Sequence, residues 1–531
     1  MAQKILIRNF SNVPLTLTLV ERFSSDDEKH NEKAANRNAL SALAAGLSIT
    51  TSYLGLTSNN STTPTTVALH HNKAVPFISQ GYSVRIEPAR AVHTDIAAFQ
   101  KSDAEWLRLH FRVDDDDVLH QLHCRIRARQ SADLIPNSGT SRRFMGVYLS
   151  DSACVALYKS SRLDSWMTEL PGHLPLSILS IPGTHNSPTH YVAPPSVRCQ
   201  AVSPQEQLHN GARFFDFRVY PENPPEDSLV LVHSVFPISL SGKKYFRDLY
   251  RVILEFLRRN PDETIIMSLK REGAGAATDQ QLSQIIRDHY VDPDTARWYT
   301  DPVVPTLDQA RGKIVLIRRF HLDKTSKLKE LGGKGGLGLD ASSWADNAPD
   351  SLCPTGQIRI QDFYNVGQSR HIDRKIAYCT AHMDRSGRGL VAKTSLTSSS
   401  MPGSTSSSLP LSLPSLSSGT PPFHLNFLSG STLWQRGTWP ERIAARVNPA
   451  CLSWLCRHHM MPTSSTSDFS TSSSFSSTLP ASTARGASAL TSDAADQSCW
   501  STGILICDWV GVNGDWDLFR CVVGMNARLL S

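Results

Sequence analysis

A chain of 531 residues is long enough for roughly two to four domains and a sizeable core, and 40% hydrophobic with 19% charged residues is an ordinary globular composition. The net charge of +6 is mild. It suits an anionic membrane surface, but with no basic run and no zinc-like cysteine spacing it excludes a nucleic-acid-binding protein. The opening MAQKILIRNF lacks the apolar core of a signal peptide, and no run of about 18 apolar residues reads as a membrane span. Ten cysteines follow no framework spacing, so free thiols, a cytoplasmic location and at most peripheral membrane attachment are expected.

Residues 1 to about 150 read as short strands: KILIRNF, LTLTLVERF, YSVRIEP, WLRLHFRV, LHCRIRAR and FMGVYLS. Apolar residues alternate in LTLTLV and LRLHFRV, and polar turns separate the runs, which predicts a mostly-β, sandwich-like N-terminal domain. ANRNALSALAAGLS reads as an inserted helix, and the four aspartates Asp114 to Asp117 as a solvated turn.

From residue 165 to 531 strands alternate with helical stretches. The eight strand candidates are SILSIPG, RFFDFRVY, LVLVHS, TIIMSLK, KIVLIRR, IRIQDF, FHLNFLS and GILICDW. In YFRDLYRVILEFLRRN, Phe246, Leu249, Ile253 and Phe256 recur at helical spacing. The fold class is therefore α/β, a (β/α)8 (TIM) barrel. The link PENPPEDS between the second and third candidates is too short and proline-rich for a helix, so the barrel is expected to be irregular there. Two Ser/Thr/Pro-rich stretches, 394–421 and 462–497, read as disordered insertions.

In such barrels chemistry collects at the C-terminal ends of strands. Those ends carry His185, then Asp216 and Arg218, His233, Lys270 and Glu272, Arg318, Asp362 and Tyr364, and finally Asp508. Asp216 and Arg218 are two apart and leave the same strand face. An arginine facing a barrel interior is costly unless it binds something. Each residue alone has a structural reading; two histidines, an arginine and a lysine at successive strand ends suit phosphate-ester chemistry, with a base, an acid and a cation over the phosphate oxygens.

The segments LPLSILSIPGTHNSPT, QLHNGARFFDFRVY, LVLVHSVFP, ETIIMSLKRE, KIVLIRR, DASSWADNAPDS and IQDFYNV, spread over about 165–370 around a core at 172–370, resemble the catalytic X-box domain of phosphatidylinositol-specific phospholipase C. GILICDWVGVNGDW is a weaker echo. The resemblance implies cleavage of phosphatidylinositol, or a related lipid at a membrane surface, to diacylglycerol and a cyclic inositol phosphate. It makes His185 the general base on the inositol 2-hydroxyl, His233 the general acid toward the leaving diacylglycerol oxygen, and Arg218 the cation over the phosphoryl oxygens. Asp216 would hold Arg218 or His233, and Asp508 would orient His185. Asn186, Lys270, Arg318, Asp362 and Tyr364 would contact substrate.

Within the family, His-Asn in the first motif goes with calcium, and an arginine on the second strand goes with calcium-independent, bacterial-type members. This chain has Asn186 and Arg218. Calcium needs several oxygen ligands, mostly anionic, whereas Arg218 and Lys270 occupy two ligand positions. Metal-independent catalysis without a cofactor is therefore expected, with Asn186 a polar prop beside the base and Asp216 the main partner of Arg218. Two other readings remain at this level: a non-catalytic inositide- or membrane-binding protein on the same barrel, and a calcium-dependent phosphodiesterase of another phospholipid.

Overall fold

The computed structural model describes residues 3–24, 75–98, 105–114, 116–125, 130–194, 196–331, 336–388, 420–432, 435–460 and 500–530. The inserted-helix reading of ANRNALSALAAGLS and the two Ser/Thr/Pro-rich stretches, apart from residues 420 and 421, lie outside them. The chain divides into two compact units, Met1–Ser160 and Ser161–Ser531.

Among its described residues the first unit holds ten strands: β1 (Lys4–Asn9), β2 (Leu15–Ser24), β3 (Ile78–Ile86), β4 (Arg90–Ala97), β5 (Glu105–Val113), β6 (Asp116–Cys124), β7 (Ser131–Asp133), β8 (Ile135–Pro136), β9 (Phe144–Leu149) and β10 (Cys154–Lys159). They form two five-stranded sheets, ordered β4-β1-β10-β9-β7 and β3-β2-β5-β6-β8. Every second residue faces a shared core: Ile5 and Ile7 from one sheet meet Leu15, Leu17, Leu107, Leu109 and Phe111 from the other. This is the sandwich that the period-two alternation predicts. Asp114 sits in the β5–β6 turn and pairs with Arg85, and Asp116, the first residue of β6, accepts from the Val118 amide.

In the second unit the strands are β11 (Ile181–Thr184), β12 (Phe214–Pro221), β13 (Leu229–His233), β14 (Phe236–Pro237), β15 (Ile265–Arg271), β16 (Trp298–Tyr299), β17 (Ile314–Arg319), β18 (Leu339–Asp340), β19 (Ser351–Leu352), β20 (Ile358–Gln361), β21 (Phe423–Phe427) and β22 (Ile504–Cys507). Parallel pairing runs β18-β17-β15-β12-β11-β22-β21-β20, a circuit of eight strands. Among the described residues no ladder joins β18 to β20, so the barrel is open there. Ile181, Phe214, Ile266, Val315, Ile360, Leu425 and Ile506 belong to one buried cluster that fills the interior. Gly183 is needed in that wall: a Cβ there would stand 2.7 Å from the Cβ of Phe214 on the neighbouring strand.

The third strand candidate is not a barrel strand. LVLVHS forms β13, which pairs antiparallel with β12 through Val219 and Leu231. A parallel return needs a crossover of about a dozen residues, whereas an antiparallel one needs only a turn. PENPPEDS allows only the turn, so β13 folds back and carries His233 over the barrel mouth. The vacant place in the circuit is filled by the two-residue β18, which is too short to show a period.

Helices cover the outside. Helix α1 (Pro204–His209) is capped by Ser203, and α2 (Phe246–Arg259) buries Phe246, Leu249, Ile253 and Phe256 as its spacing predicts. Phe217 of β12 packs edge-on against Phe246, ring centroids 5.9 Å apart. Below the barrel Arg213 and Glu263, both wholly buried, meet at 2.7 Å. Glu263 also accepts from the Met167 amide, and Arg213 donates to four backbone carbonyls, so the pair ties the starts of β12 and β15 to residues 163–168.

Candidate active site

The parallel register sets the floor of the site. Arg218 on β12, Lys270 on β15 and Arg319 on β17 lie side by side in one row. Their parity follows from the residues beneath them: Phe214, Ile266, Val315 and Ile317 point into the core, so positions two or four further along point into the mouth. The row opens into a cavity of about 550 Å³ that is also lined by His185, His233, Glu272, Trp344, Asp346, Asp362 and Tyr364.

His185 follows β11 directly. Its Nδ1 lies 2.8 Å from Oδ1 of Asp508, which is 1% exposed at the end of β22. Donors face its other nitrogen: Arg218 Nη2 at 3.1 Å and Asn186 Nδ2 at 3.3 Å. These partners fix the tautomer, with the proton on Nδ1 and the Nε2 lone pair toward the cavity. Such an imidazole can take a proton at Nε2 while Asp508 stabilises the resulting charge. His233 faces it edge-on, ring centroids 6.2 Å apart, with Nδ1 2.8 Å from the carbonyl of Val197. Burial, then Arg218 and His185, push the His233 imidazole down to about 4.

Arg218 is held by two carboxylates. Its Nε and Nη2 donate to Asp216 Oδ2 at 3.3 and 3.2 Å, and Nη1 donates to Glu272 Oε1 at 2.8 Å. Burial disfavours both anions, but Arg218 and Arg319 outweigh it at Asp216 and keep that carboxyl far below its usual range. Arg218 and Lys270 likewise hold Glu272 at about 2. Glu272 also accepts from Lys270 Nζ at 2.7 Å and from the Ser234 amide at 2.9 Å, so one carboxylate links the cation row to the turn after His233. Asp216 is wholly buried and also receives Ser268 Oγ at 3.2 Å. Among the described residues its carboxylate meets Arg218, Arg319, Ser268 and the Asn186 amide and not His233, so it is a positioning residue for Arg218.

Two substrate-contact expectations need correction. Arg318 does not line the cavity; it is 3% exposed, donates to the Gly338 carbonyl and pairs with Glu330 and Asp340 on the outer side of β17. Arg319 takes the inward place, its guanidinium 3.7 Å from the centre of the Trp344 ring. The parity of Val315 and Ile317 carried that signal in KIVLIRR. Asn186 does not reach the cavity either. It is 1% exposed with φ +40°, its amide facing Asp216 and its side chain facing His185 and Cys199. Asparagine tolerates this left-handed backbone well, and its place beside the base is that of a prop. Arg218 is shared between Asp216, the expected main partner, and Glu272.

Lys270, Asp362 and Tyr364 do line the cavity. Asp362 is raised by burial despite Arg319 and Lys375. Tyr364 donates to Asp346 at 3.0 Å and stands at the mouth, 39% exposed. Lys375, wholly buried on helix Ser369–Gly387, donates to Gln361 Oε1 at 3.2 Å behind Asp362; its helical sequence gave no hint of that role.

Calcium does not fit this donor set. The ion wants six to eight oxygen ligands, and here three cations form the row beneath the cavity. The carboxylates nearest the row, Asp216 and Glu272, are already engaged by Arg218 and offer calcium no open set of oxygens.

The X domain of phosphatidylinositol-specific phospholipase C matches residues 173–320, which include His185, Asp216, Arg218, His233, Lys270 and Arg319. A 1-phosphatidylinositol phosphodiesterase of Staphylococcus aureus strain Newman is 30% identical over 239 residues, 41% of this chain and 69% of that protein. The chain belongs to the phosphatidylinositol-specific phospholipase C family. The 1-phosphatidylinositol phosphodiesterase of Listeria monocytogenes is 34% identical over 169 residues, 30% of this chain, and the match spans half the length of that relative. Crystal structures of the phospholipases C of S. aureus and L. monocytogenes superpose with TM-scores of 0.47 and 0.42 at 21% identity; each covers 69% of this chain, and 98% and 99% of those proteins are covered. The family's X domain thus ends within β17 and its following residue, and the remaining barrel strands, with Asp362 and Asp508, lie beyond it.

Proposed function

We propose that this chain cleaves phosphatidylinositol to diacylglycerol and a cyclic inositol phosphate, using histidine acid–base chemistry with Arg218 in the place of a metal ion. One observation carries the reading: the Asp508–His185 pair, Arg218 and His233 converge on a single cavity large enough for an inositol ring.

His185 Nε2 takes the proton of the inositol 2-hydroxyl, and that oxygen attacks phosphorus within the same molecule, so the nucleophile arrives positioned. The Arg218 fork lies over the phosphoryl oxygens and gains strength as their charge grows. His233 gives its proton to the departing diacylglycerol oxygen. In the free site burial and the neighbouring cation keep His233 neutral at pH 7; an anionic phosphodiester beside it favours the protonated form. Lys270, Arg319, Asp362 and Tyr364 read the ring hydroxyls. Asp346 and Asp362 at the ring end disfavour additional ring phosphates, which supports the unphosphorylated lipid as substrate.

The mouth supports a lipid surface as the place of action. Val192, Val235, Phe236 and Leu240 are exposed, Phe236 lines the cavity, and the Leu240 amide bonds the Val192 carbonyl at 3.0 Å, which joins two of them in one apolar rim. Lys244 stands beside them over Tyr191. These exposed side chains support peripheral contact through the rim; no helix among the described residues is long and apolar enough to cross a membrane. Buried thiols such as Cys199, Cys379 and Cys507 suit a reducing, cytoplasmic setting. Incubating the protein with phosphatidylinositol vesicles tests the function: release of diacylglycerol that His185→Ala and His233→Ala each abolish supports it, and release that survives His185→Ala refutes the mechanism.

A further inference from the structure

Beside the His185–Asp508 pair lies a thiol that the proposed reaction does not use, that of Cys199. One ligand atom each from His185, Cys199 and Asp508 lies within 4.8 Å of the other two. Cys199 is wholly buried; Asn186 Nδ2 and His233 Nδ1 are each 3.8 Å from its sulfur. Asp508 uses only Oδ1 toward His185. Its Oδ2 is buried without a hydrogen-bond partner among the described residues, and so is Oδ1 of Asn186, whose amide nitrogen touches both His185 and Cys199. A buried carboxylate oxygen left without a donor is costly and points to a missing partner.

We infer that His185, Cys199 and Asp508 form an inhibitory site for a thiophilic divalent cation of the zinc or cadmium kind. A sulfur, an imidazole nitrogen and a carboxylate oxygen are a zinc donor set, and atoms bound to one zinc ion stand roughly 3–4 Å apart, a small contraction from the observed spacing. Binding forms metal–sulfur, metal–nitrogen and metal–oxygen bonds: the thiol proton leaves to solvent, and the proton on His185 Nδ1 passes to Nε2, which frees Nδ1 for the metal and blocks the nitrogen that serves as base. Thiolate and carboxylate together cancel the ion's two charges, which matters with Arg218 close by. Calcium and magnesium cannot use the thiolate and so gain no such neutralisation. Loading the site takes the base and its orienting carboxylate out of the reaction at once.

The direct test needs no substrate, so it stands apart from the hydrolysis reading. Zinc K-edge absorption on the intact protein with one equivalent of Zn2+ should show one sulfur and otherwise nitrogen or oxygen neighbours. Cys199→Ser should remove the sulfur and weaken binding by at least about tenfold, and calcium should not compete. In phosphatidylinositol hydrolysis, Zn2+ should inhibit the natural chain reversibly to chelator and leave Cys199→Ser at its own metal-free rate. A shell with no sulfur, or with two or more, overturns the inference on the natural chain alone, as does unchanged affinity in Cys199→Ser.

Discussion

Replacing Arg218 by lysine keeps the charge and removes the fork. The guanidinium spans Asp216 and Glu272 through three bonds of 2.8 to 3.3 Å while Nη2 stays 3.1 Å from His185 Nε2. An ammonium can meet one carboxylate or one phosphoryl oxygen, and cannot bridge all of them. Loss of one donor aimed at developing charge lowers kcat by about 10²–10³, or roughly 3–4 kcal/mol. Asp216 keeps a cation nearby, since Arg319 Nη1 lies 3.5 Å from its Oδ1, so Arg218→Lys should cost less than about 2 kcal/mol of stability. Arg218→Ala strips a buried pair and should cost about 3–5 kcal/mol. Initial rates on phosphatidylinositol in mixed micelles, read beside denaturant unfolding of each variant, separate the two effects. A fall in kcat below about tenfold for Arg218→Lys, with the protein folded, would refute the role given to the fork.

Asp508→Asn leaves the size of the residue and removes the partner that fixes the His185 tautomer; kcat should fall by about 10³–10⁴ with little change in KM, as read from steady-state kinetics. Arg319→Ala should raise KM, whereas Arg318→Ala should lower the unfolding temperature and leave KM alone, because only Arg319 faces the cavity. Glu272 is depressed to about 2 by its cations, so its contribution to stability is fully present above about pH 4.5 and is lost as pH falls toward 2. Acid unfolding of Glu272→Gln should accordingly show a shallower slope over that window than the natural chain. Phosphatidylinositol bisphosphate should be cleaved at least about tenfold more slowly than phosphatidylinositol, since Asp346 and Asp362 line the cavity that would take its ring phosphates.

The barrel was legible where long strands show a period and where helices such as Phe246–Arg259 bury a regular stripe. It was not legible at β18, where two residues carry no period, nor at LVLVHS, whose pattern is the same for a barrel strand and a hairpin arm. Only the length of PENPPEDS distinguishes those, through what a short link can connect. His185, Arg218 and His233 could be read from strand ends and family motifs, and Asp508 from its place after the last strand. Arg318 and Arg319 differ by one residue, and with a period of two that one residue decides between outside and inside. The anchoring residues Val315 and Ile317 had to be followed down the strand to choose. Glu272 stands among the strand ends in the sequence, but its bond to Arg218 joins residues 54 apart, which no local pattern encodes.

The most direct test of arginine-for-metal catalysis is phosphorus NMR of phosphatidylinositol vesicles incubated with the purified protein in calcium chelator. A cyclic inositol phosphate resonance should grow at a rate that added calcium does not raise, and it should be absent with His185→Ala. Turnover that requires calcium, or a product in which the cyclic ester never forms, would contradict it.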